Sequence, residues 1–391
     1  MIQYTGESEV TYVKKVLPWL KEYFKRADML LLILCITASI FGIVIIYSAT
    51  LTYETPKYVI VQTLALGVGI VLYMIMTVLD VDILADKWQI LCIFNILFLG
   101  TLIFFGVESD TGNKGWLRFF GIGIQPSEIV KITFIIILAK QLTYLKEYKE
   151  LNSVGSMAQL LGHFVLIFAY LYFTTDDLGS AVVFVFIFAV MLFAAGVKIY
   201  WFIIGIAAVA AATPFIWDHL SLYQQNRILA PYVPSIDPDN TGANWNANQS
   251  KIALASGQLT GTGLGNGTQT QSSSIFSKQS DFIYAVIGEE LGMIGCIAVL
   301  VLLSAIIIRC VMVGLRSGSE LSMLVCVGVA TTVMFQAFLN TGMCIGIAPV
   351  IGITLPFFSY GGSSLFSMFA AMGIVSGVRY RPKPQRFRLY R

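Results

Sequence analysis

Apolar residues fall in ten long runs, near 29–49, 58–79, 88–106, 126–143, 159–174, 179–197, 200–217, 282–308, 321–344 and 363–378. Most reach the roughly 17–25 residues that a helix needs to span the hydrocarbon core of a bilayer. The pattern predicts an all-α polytopic membrane protein with about ten transmembrane helices. Two connections are long: 107–125, between the third and fourth spans, and 218–281, between the seventh and eighth. The second mixes apolar, aromatic, Gly and amide residues without the charge excess of disorder, so a folded extracellular loop with a function is expected. A third stretch, Asn340 to Ser364, is rich in Gly and Pro at membrane depth. Irregular backbone there is tolerated only when buried in protein or lining a cavity.

Ahead of the first span, Val13, Leu17, Leu20 and Phe24 recur at helical spacing with Lys14, Lys21, Glu22 and Lys25 between them. That suits an amphipathic helix lying on the inner membrane surface within residues 10–26, the alternative being a polar tail with some hydrophobic residues. Residues 1–28 carry no short apolar core before a small-residue cleavage site, so a signal peptide is not expected. The implied organisation is a cytoplasmic N-terminal segment (1–28), a membrane domain (29–378) containing the outer loop 218–281, and a basic cytoplasmic tail (379–391).

Composition agrees with this picture. Of 391 residues, 57% are hydrophobic and only 12% charged, too few charges to cover a soluble domain of this size. The basic residues are clustered and the net charge is +3, which gives no indication of nucleic-acid binding. Six cysteines stand singly without CxxC spacing, which suits small buried thiols rather than a metal cluster. His163 and His219 lie in different segments with no evident second ligand, so a zinc site is not expected. With the N-terminus inside, 18 Lys and Arg residues fall on the cytoplasmic side and six outside, with Lys131 inside a span. Such asymmetry fixes an even number of spans with both termini in the cytoplasm.

Ionisable groups inside a membrane are costly and are candidate site residues by default. The fourth span opens Gln125-Pro126-Ser127-Glu128 and continues to Lys131. Glu128 and Lys131 are three apart, share a helix face and can pair, either for packing alone or as part of a site. The eighth span opens Ser280-Asp281-Phe282 and carries Gly288-Glu289-Glu290-Leu291-Gly292. Ser280 or Asp281 could cap that helix. Adjacent carboxylates point about 100° apart, so at most one of Glu289 and Glu290 readily faces a given cavity, and either could neutralise Lys131 from across the bundle. Asp176 and Asp177 read as turn formers between the fifth and sixth spans. The Gly261–Gln269 segment is rich in glycine but lacks the strand, helix and Lys-Ser context of a phosphate-binding loop.

Several blocks together resemble the SEDS family of bacteria, the group that includes RodA, FtsW and SpoVE. The most specific is Pro349 to Ser364 (PVIGITLPFFSYGGSS), preceded by Asn340-Thr341-Gly342-Met343. A second joins Gly115-Trp116-Leu117-Arg118 to Gln125-Pro126-Ser127-Glu128 and Lys131. A third covers Tyr223-Gln224, Arg227, Gly261 to Gln269, Ser280-Asp281-Phe282-Ile283 and Gly288-Glu289-Glu290-Leu291-Gly292. The blocks run in family order over nearly the whole chain from about residue 26. Two positions depart from the family: Thr175-Asp176 replaces the usual Gln-Pro before Asp177-Leu178-Gly179, and Phe276 to Ser280 lacks the usual Pro and His. These departures leave open whether the chain serves elongation, division or sporulation.

The resemblance implies an inverting peptidoglycan glycosyltransferase that uses lipid II and works with a class B penicillin-binding protein in the bacterial cytoplasmic membrane. It implies Asp281 as the catalytic carboxylate and Trp116 as an outer-loop residue tied to activity, with Glu128 and Lys131 lining a central polar cavity. Arg118, Lys131 and Arg227, or a divalent cation such as Mg or Mn at Asp281, could stabilise the departing pyrophosphate. Gln269, Glu289, Glu290, Ser359 and Ser363 lie in the matching blocks and are expected at the substrate site. Competing readings are a transporter that flips lipid II, which the irregular 340–364 segment would suit, and a catalytically silent scaffold for a penicillin-binding protein. The basic asymmetry gives a direct expectation for orientation. Single cysteines introduced within 235–275 should react with a membrane-impermeant thiol reagent outside intact cells, and cysteines within 144–156 should not. The opposite labelling would invert the topology.

Overall fold

A computed structural model describes residues 21–381, apart from 54, 108–113, 120–121, 176, 221, 238–243 and 273. Of the segment expected to form an interfacial helix, only residues 21–26 are described, and they are helical. Asp176 and the tail beyond Arg381 lie outside the described residues.

Every expected span falls on a helix: α1 (Met29–Ala49), α2 (Lys57–Val78), α4 (Trp88–Phe105), α5 (Pro126–Tyr148), α6 (Val154–Thr175), α7 (Leu178–Ala195), α8 (Ile199–His219), α12 (Ile283–Leu315), α13 (Glu320–Ile345) and α14 (Gly362–Tyr380), with the short α3 (Val81–Asp86) between α2 and α4. By length and composition, α1, α2, α4, α6, α12 and α13 are each long and apolar enough to cross a membrane. Helices α13 and α14 are largely buried: α14 packs along α2, while α13 packs against α12, α7 and α5. On the periphery, α4 leaves Ile90, Ile93, Leu97 and Phe104 exposed, as a lipid-facing helix does.

One carboxylate gathers the ends of four helices. Asp28 caps α1 by accepting from Leu31 N (3.2 Å) and is fully buried. It pairs with Arg309 of α12 at 2.9 Å and Arg379 of α14 at 3.2 Å. Its backbone N–H donates to Ser376 of α14, and its carbonyl accepts from the Tyr73 hydroxyl of α2 at 2.7 Å. Removing one partner of such a buried arrangement typically costs ~3–5 kcal/mol, so this knot is a strong constraint on that end of the bundle.

The opposite end of the bundle is irregular but ordered by short elements. Residues 107–125 include an antiparallel hairpin, β1 (Leu117–Phe119) with β2 (Ile122–Ile124), within the otherwise helical fold. The 218–281 connection carries α9 (Leu222–Leu229), α10 (Trp245–Gly257) and α11 (Thr268–Gln271), and α10 packs against α12 and α13.

Two expectations about backbone are corrected. The irregular stretch is shorter than expected, because α13 continues through Asn340 to Ile345 and regular structure is lost only over 346–361. The eighth span is not one continuous helix. Gly292 breaks α12 with φ 67° and ψ −164°, and the outer loop splices into the gap. Met293 N donates to Gln258 O (2.8 Å) and Ile294 N to Leu259 O (3.2 Å). In return, Thr262 N and Gly263 N donate to the carbonyls of Glu289 and Glu290 at 3.0 and 2.9 Å. The approach leaves no room for side chains: a Cβ on Gly292 would stand 2.4 Å from Gly261 N, and one on Gly261 2.2 Å from Glu290 O. The kink thus has a cause, an inserted backbone that replaces lost helical hydrogen bonds.

Candidate functional site

The turn that carries Asp281 is built by residues far away in sequence. Ser277 adopts φ 55°, and its carbonyl accepts from Ser280 N and Asp281 N, both at 3.0 Å. Ser359 reaches across to donate its hydroxyl to Ser280 O (2.5 Å) while accepting from Leu355 N (2.7 Å). Tyr360 N donates to Gln279 O at 2.8 Å, and the Tyr53 hydroxyl donates to the Gln279 side chain at 3.2 Å. Asn340, fully buried on α13, donates through Nδ2 to both Asp281 O and Ile353 O at 2.7 Å. Gln62 of α2 completes the frame by bonding Ser359 O (3.0 Å) and Gly361 N (3.1 Å). The 346–361 segment is therefore a brace for the Asp281 turn, which is how its irregular backbone is satisfied at that depth.

Asp281 does not cap α12. The N-cap position is Phe282 with no side-chain cap hydrogen bond, and the Ser280 hydroxyl instead donates to Ser277 O at 3.3 Å. The carboxyl group is left for other work. A Cβ on Gly352 would stand 3.5 Å from Oδ2, so the carboxyl lies along bare backbone. Burial pushes its pKa up to about 6; Arg227 of α9 and the neighbouring Ser280 side chain pull it down, and Asp177 adds to the rise. A carboxylate in this range is ionised at neutral pH yet basic enough to accept a proton.

Asp177 caps α7, accepting from Ser180 N (3.1 Å) and Ser180 Oγ (2.6 Å) and from Gln125 Nε2 (3.2 Å). It thus ties the start of α7 to the start of α5, and its role as a turn former is fulfilled as a helix cap. Trp116 and Arg118 stand at the hairpin. Trp116 is half-buried over Gly123, whose Cβ would lie 3.1 Å from its ring, and Arg118 is exposed.

Deeper in the bundle, Lys131 Nζ sits 2.6 Å from Glu128 Oε1, both side chains buried. Ser364 of α14 reaches Glu128 Oε2 at 3.4 Å and Thr354 at 3.3 Å. The pair lines a small cavity with Thr332 of α13 and Ser367 of α14. Of the three carboxylates open to Lys131 in the sequence, Glu128 is its partner. Ser363 is fully buried and its hydroxyl finds no hydrogen-bond partner among the described residues.

Glu289 and Glu290, expected at the substrate site, instead hold the outer loop. Both are fully buried. Glu289 accepts from Gln269 N (2.7 Å), Thr270 N (2.8 Å) and Thr270 Oγ1 (2.7 Å). Glu290 accepts from Ser48 Oγ at the end of α1 (2.5 Å) and from Gln271 Nε2 (3.3 Å), and Ser48 Oγ in turn accepts from Gly265 N (2.8 Å). Gln269 contributes its backbone to this network, while its Oε1 is buried without a hydrogen-bond partner among the described residues. Ser359 is likewise a brace of the turn.

The resemblance admits a divalent cation at Asp281. Among the described residues, no group of three or more His, Cys, Asp or Glu side chains is placed to hold a metal ion. Four residues at these networks escaped the sequence reading. Gln62, a lone amide inside an apolar run, carried a signal. Ser48 carried none, because its partner Glu290 lies more than 200 positions away, and Lys278 carried none, because one of its two partners, Thr52, is equally remote. Asp28, abutting the first apolar run, looked like an ordinary boundary residue.

Comparison with known proteins places this architecture. A model of the cell cycle protein family FtsW, RodA and SpoVE matches residues 28–383. The probable peptidoglycan glycosyltransferase FtsW of Geobacter metallireducens is 32% identical over 376 residues, covering 93% of this chain and 97% of its own. The peptidoglycan glycosyltransferase MrdB of Escherichia coli is 32% identical over 321 residues, covering 81% of this chain and 84% of its own. Among solved structures, a peptidoglycan synthase complex that coordinates polymerisation and crosslinking aligns with TM-score 0.75 at 26% identity, over 90% of this chain and 97% of that one. The rod shape determining protein RodA of Thermus thermophilus aligns with TM-score 0.67 at 25% identity, over 90% of this chain and 96% of that one.

The buried pair gives a test of the interior. Lys131→Ala leaves Glu128 without its cation, a change that typically costs ~3–5 kcal/mol. The exposed Lys251 should be replaceable by Ala within about 0.5 kcal/mol. Thermal melting of the detergent-purified variants should separate them by many degrees. Equal, small shifts would show that Lys131 reaches water.

Proposed function

The chain belongs to the FtsW, RodA and SpoVE family of cell cycle proteins and is a multi-pass membrane peptidoglycan glycosyltransferase, and we propose that it polymerises lipid II at the outer face of the bacterial cytoplasmic membrane, with both termini in the cytoplasm. The observation that carries this reading is the Asp281 carboxyl: released from capping, fixed in position by Asn340 and Ser359 through the backbone, and set against Arg227.

The reaction joins two lipid-linked sugars. The 4-hydroxyl of one attacks the anomeric carbon of the other as the bond to undecaprenyl pyrophosphate breaks. The attacking oxygen must lose its proton as the new bond forms, and Asp281 accepts it. The pyrophosphate leaves with the bonding electron pair, and a single displacement inverts the anomeric centre. Negative charge grows on the leaving group, where a preorganised cation is most effective. Arg227 beside Asp281 is the first candidate, with Arg118 on the exposed hairpin strand the second. Trp116, half-buried at the hairpin, offers an aromatic face to the sugar. The Glu128–Lys131 cavity belongs to the substrate's deeper contacts. The class B penicillin-binding protein partner is proposed from the likeness to the synthase complex. The flippase and silent-scaffold readings find no favour in relatives that are peptidoglycan glycosyltransferases.

Asp281→Asn keeps the side chain's shape and removes its charge and basicity. Because the side chain caps nothing, membrane insertion and melting temperature should be unchanged. Polymerisation of lipid II should fall at least ~100-fold, the lower end of what a general base contributes. The wild-type pH profile provides the sign. The carboxyl must be ionised to accept a proton, so kcat/KM should be high above pH 7 and be lost as pH falls through about 6. Near-normal polymerisation by a well-folded Asp281→Asn protein would move the base to Glu128, Asp176 or Asp177.

A further inference from the structure

Lys278 lies three residues before Asp281 and is completely buried, an unusual situation for a lysine in an outer loop. Its ammonium donates to the Thr270 carbonyl and to Thr52 Oγ1 (3.2 Å), and stands 5.1 Å from the centre of the Tyr53 ring. Thr270 is the same residue whose N–H and hydroxyl are held by Glu289. The electrostatic field of Glu290 and Glu289 favours the charged form of Lys278 against the burial that pushes its pKa down. Lys278 is therefore the cation of a buried network with two carboxylates, and it is covalently part of the turn that ends in Asp281.

We propose that Lys278 is a positioning residue for Asp281: its ammonium pins the 277–281 turn to the carboxylate-held loop beneath it. Asn340, Ser359 and Tyr360 fix the turn from the 346–361 side, and Lys278 fixes it from the α1 and α11 side. With one side released, the turn keeps its fold but the carboxyl loses its fixed place. The proposal rests on Asp281 being the general base.

Three variants test it in lipid II polymerisation with the full-length protein, alongside melting temperature. Lys278→Met removes the ammonium at similar length. It should lower kcat at least ~10-fold, inside the range that a misplacement of about 1 Å produces, while KM changes less than about twofold. Its acid limb should also move below the wild-type value of about 6, because a loosened turn admits water to the Asp281 carboxyl. Lys278→Arg, which retains the charge, should recover part of kcat. Thr52→Val removes one acceptor without isolating a charge and should lower kcat two- to threefold, in the same direction (~0.5 kcal/mol). If Lys278→Met does not fold, Lys278→Arg and Thr52→Val decide. Wild-type kcat and acid limb in the folded variants would overturn the proposal. Asp281→Asn run in parallel separates the two failures: a dead Asp281→Asn with normal Lys278 variants defeats only the positioning role, whereas an active Asp281→Asn defeats the base assignment itself.

Discussion

Glu289 and Glu290 stand side by side on α12, both closed off from solvent. Carboxylates in that position must be supplied with hydrogen-bond donors or forced to take up protons. Their directions diverge by about 100° around the helix, so no single neighbour can serve both. One carboxylate collects the amides and hydroxyl of 269–270, and the other collects Ser48 and Gln271. Hydrogen bonds to charged groups contribute ~1.5–3 kcal/mol each, enough in sum to offset several kcal/mol of desolvation. The outer loop is folded because these groups demand it, and the break at Gly292 gives its backbone a place to enter.

This arrangement separates anchoring from chemistry along one short piece of chain. Residues 289–292 hold the loop, and residues 277–281 present the carboxyl. The 346–361 segment locks the presentation from the opposite side through Ser359 and Tyr360. At the other end of the bundle, Asp28 with Arg309 and Arg379 fixes the ends of α1, α12 and α14, so α12 is held at both ends. The Asp281 carboxyl sits on a backbone tied by Asn340, Ser359 and Tyr360.

Much of this was legible in the sequence because it depends on local spacing. Apolar runs gave the ten spans, and the three-residue separation of Glu128 and Lys131 gave their pairing. The unseen parts depend on contacts between distant segments. Asp281 and Ser280 had the sequence of a helix cap, yet tertiary bonds to Asn340 and Ser359 pull the turn into another geometry. The glycine-rich 261–269 segment lacked the strand, helix and Lys-Ser context of a phosphate-binding loop, yet the amides at its end do hold an anion. The anion is the protein's own, since Glu289 takes the loop amides that a phosphate would otherwise use. Gly292 read as a helical glycine because nothing nearby in the chain announces that a loop will press against it.

The dependence of the loop on these buried carboxylates can be measured directly by amide hydrogen exchange of Glu289→Ala beside the wild type. The amides of 262–271 should lose protection, and the loss should spread through Lys278 to residues 277–281, while α13 and α14 remain protected. Unchanged protection across 262–281 would contradict the view that Glu289 and Glu290 organise the outer loop around Asp281.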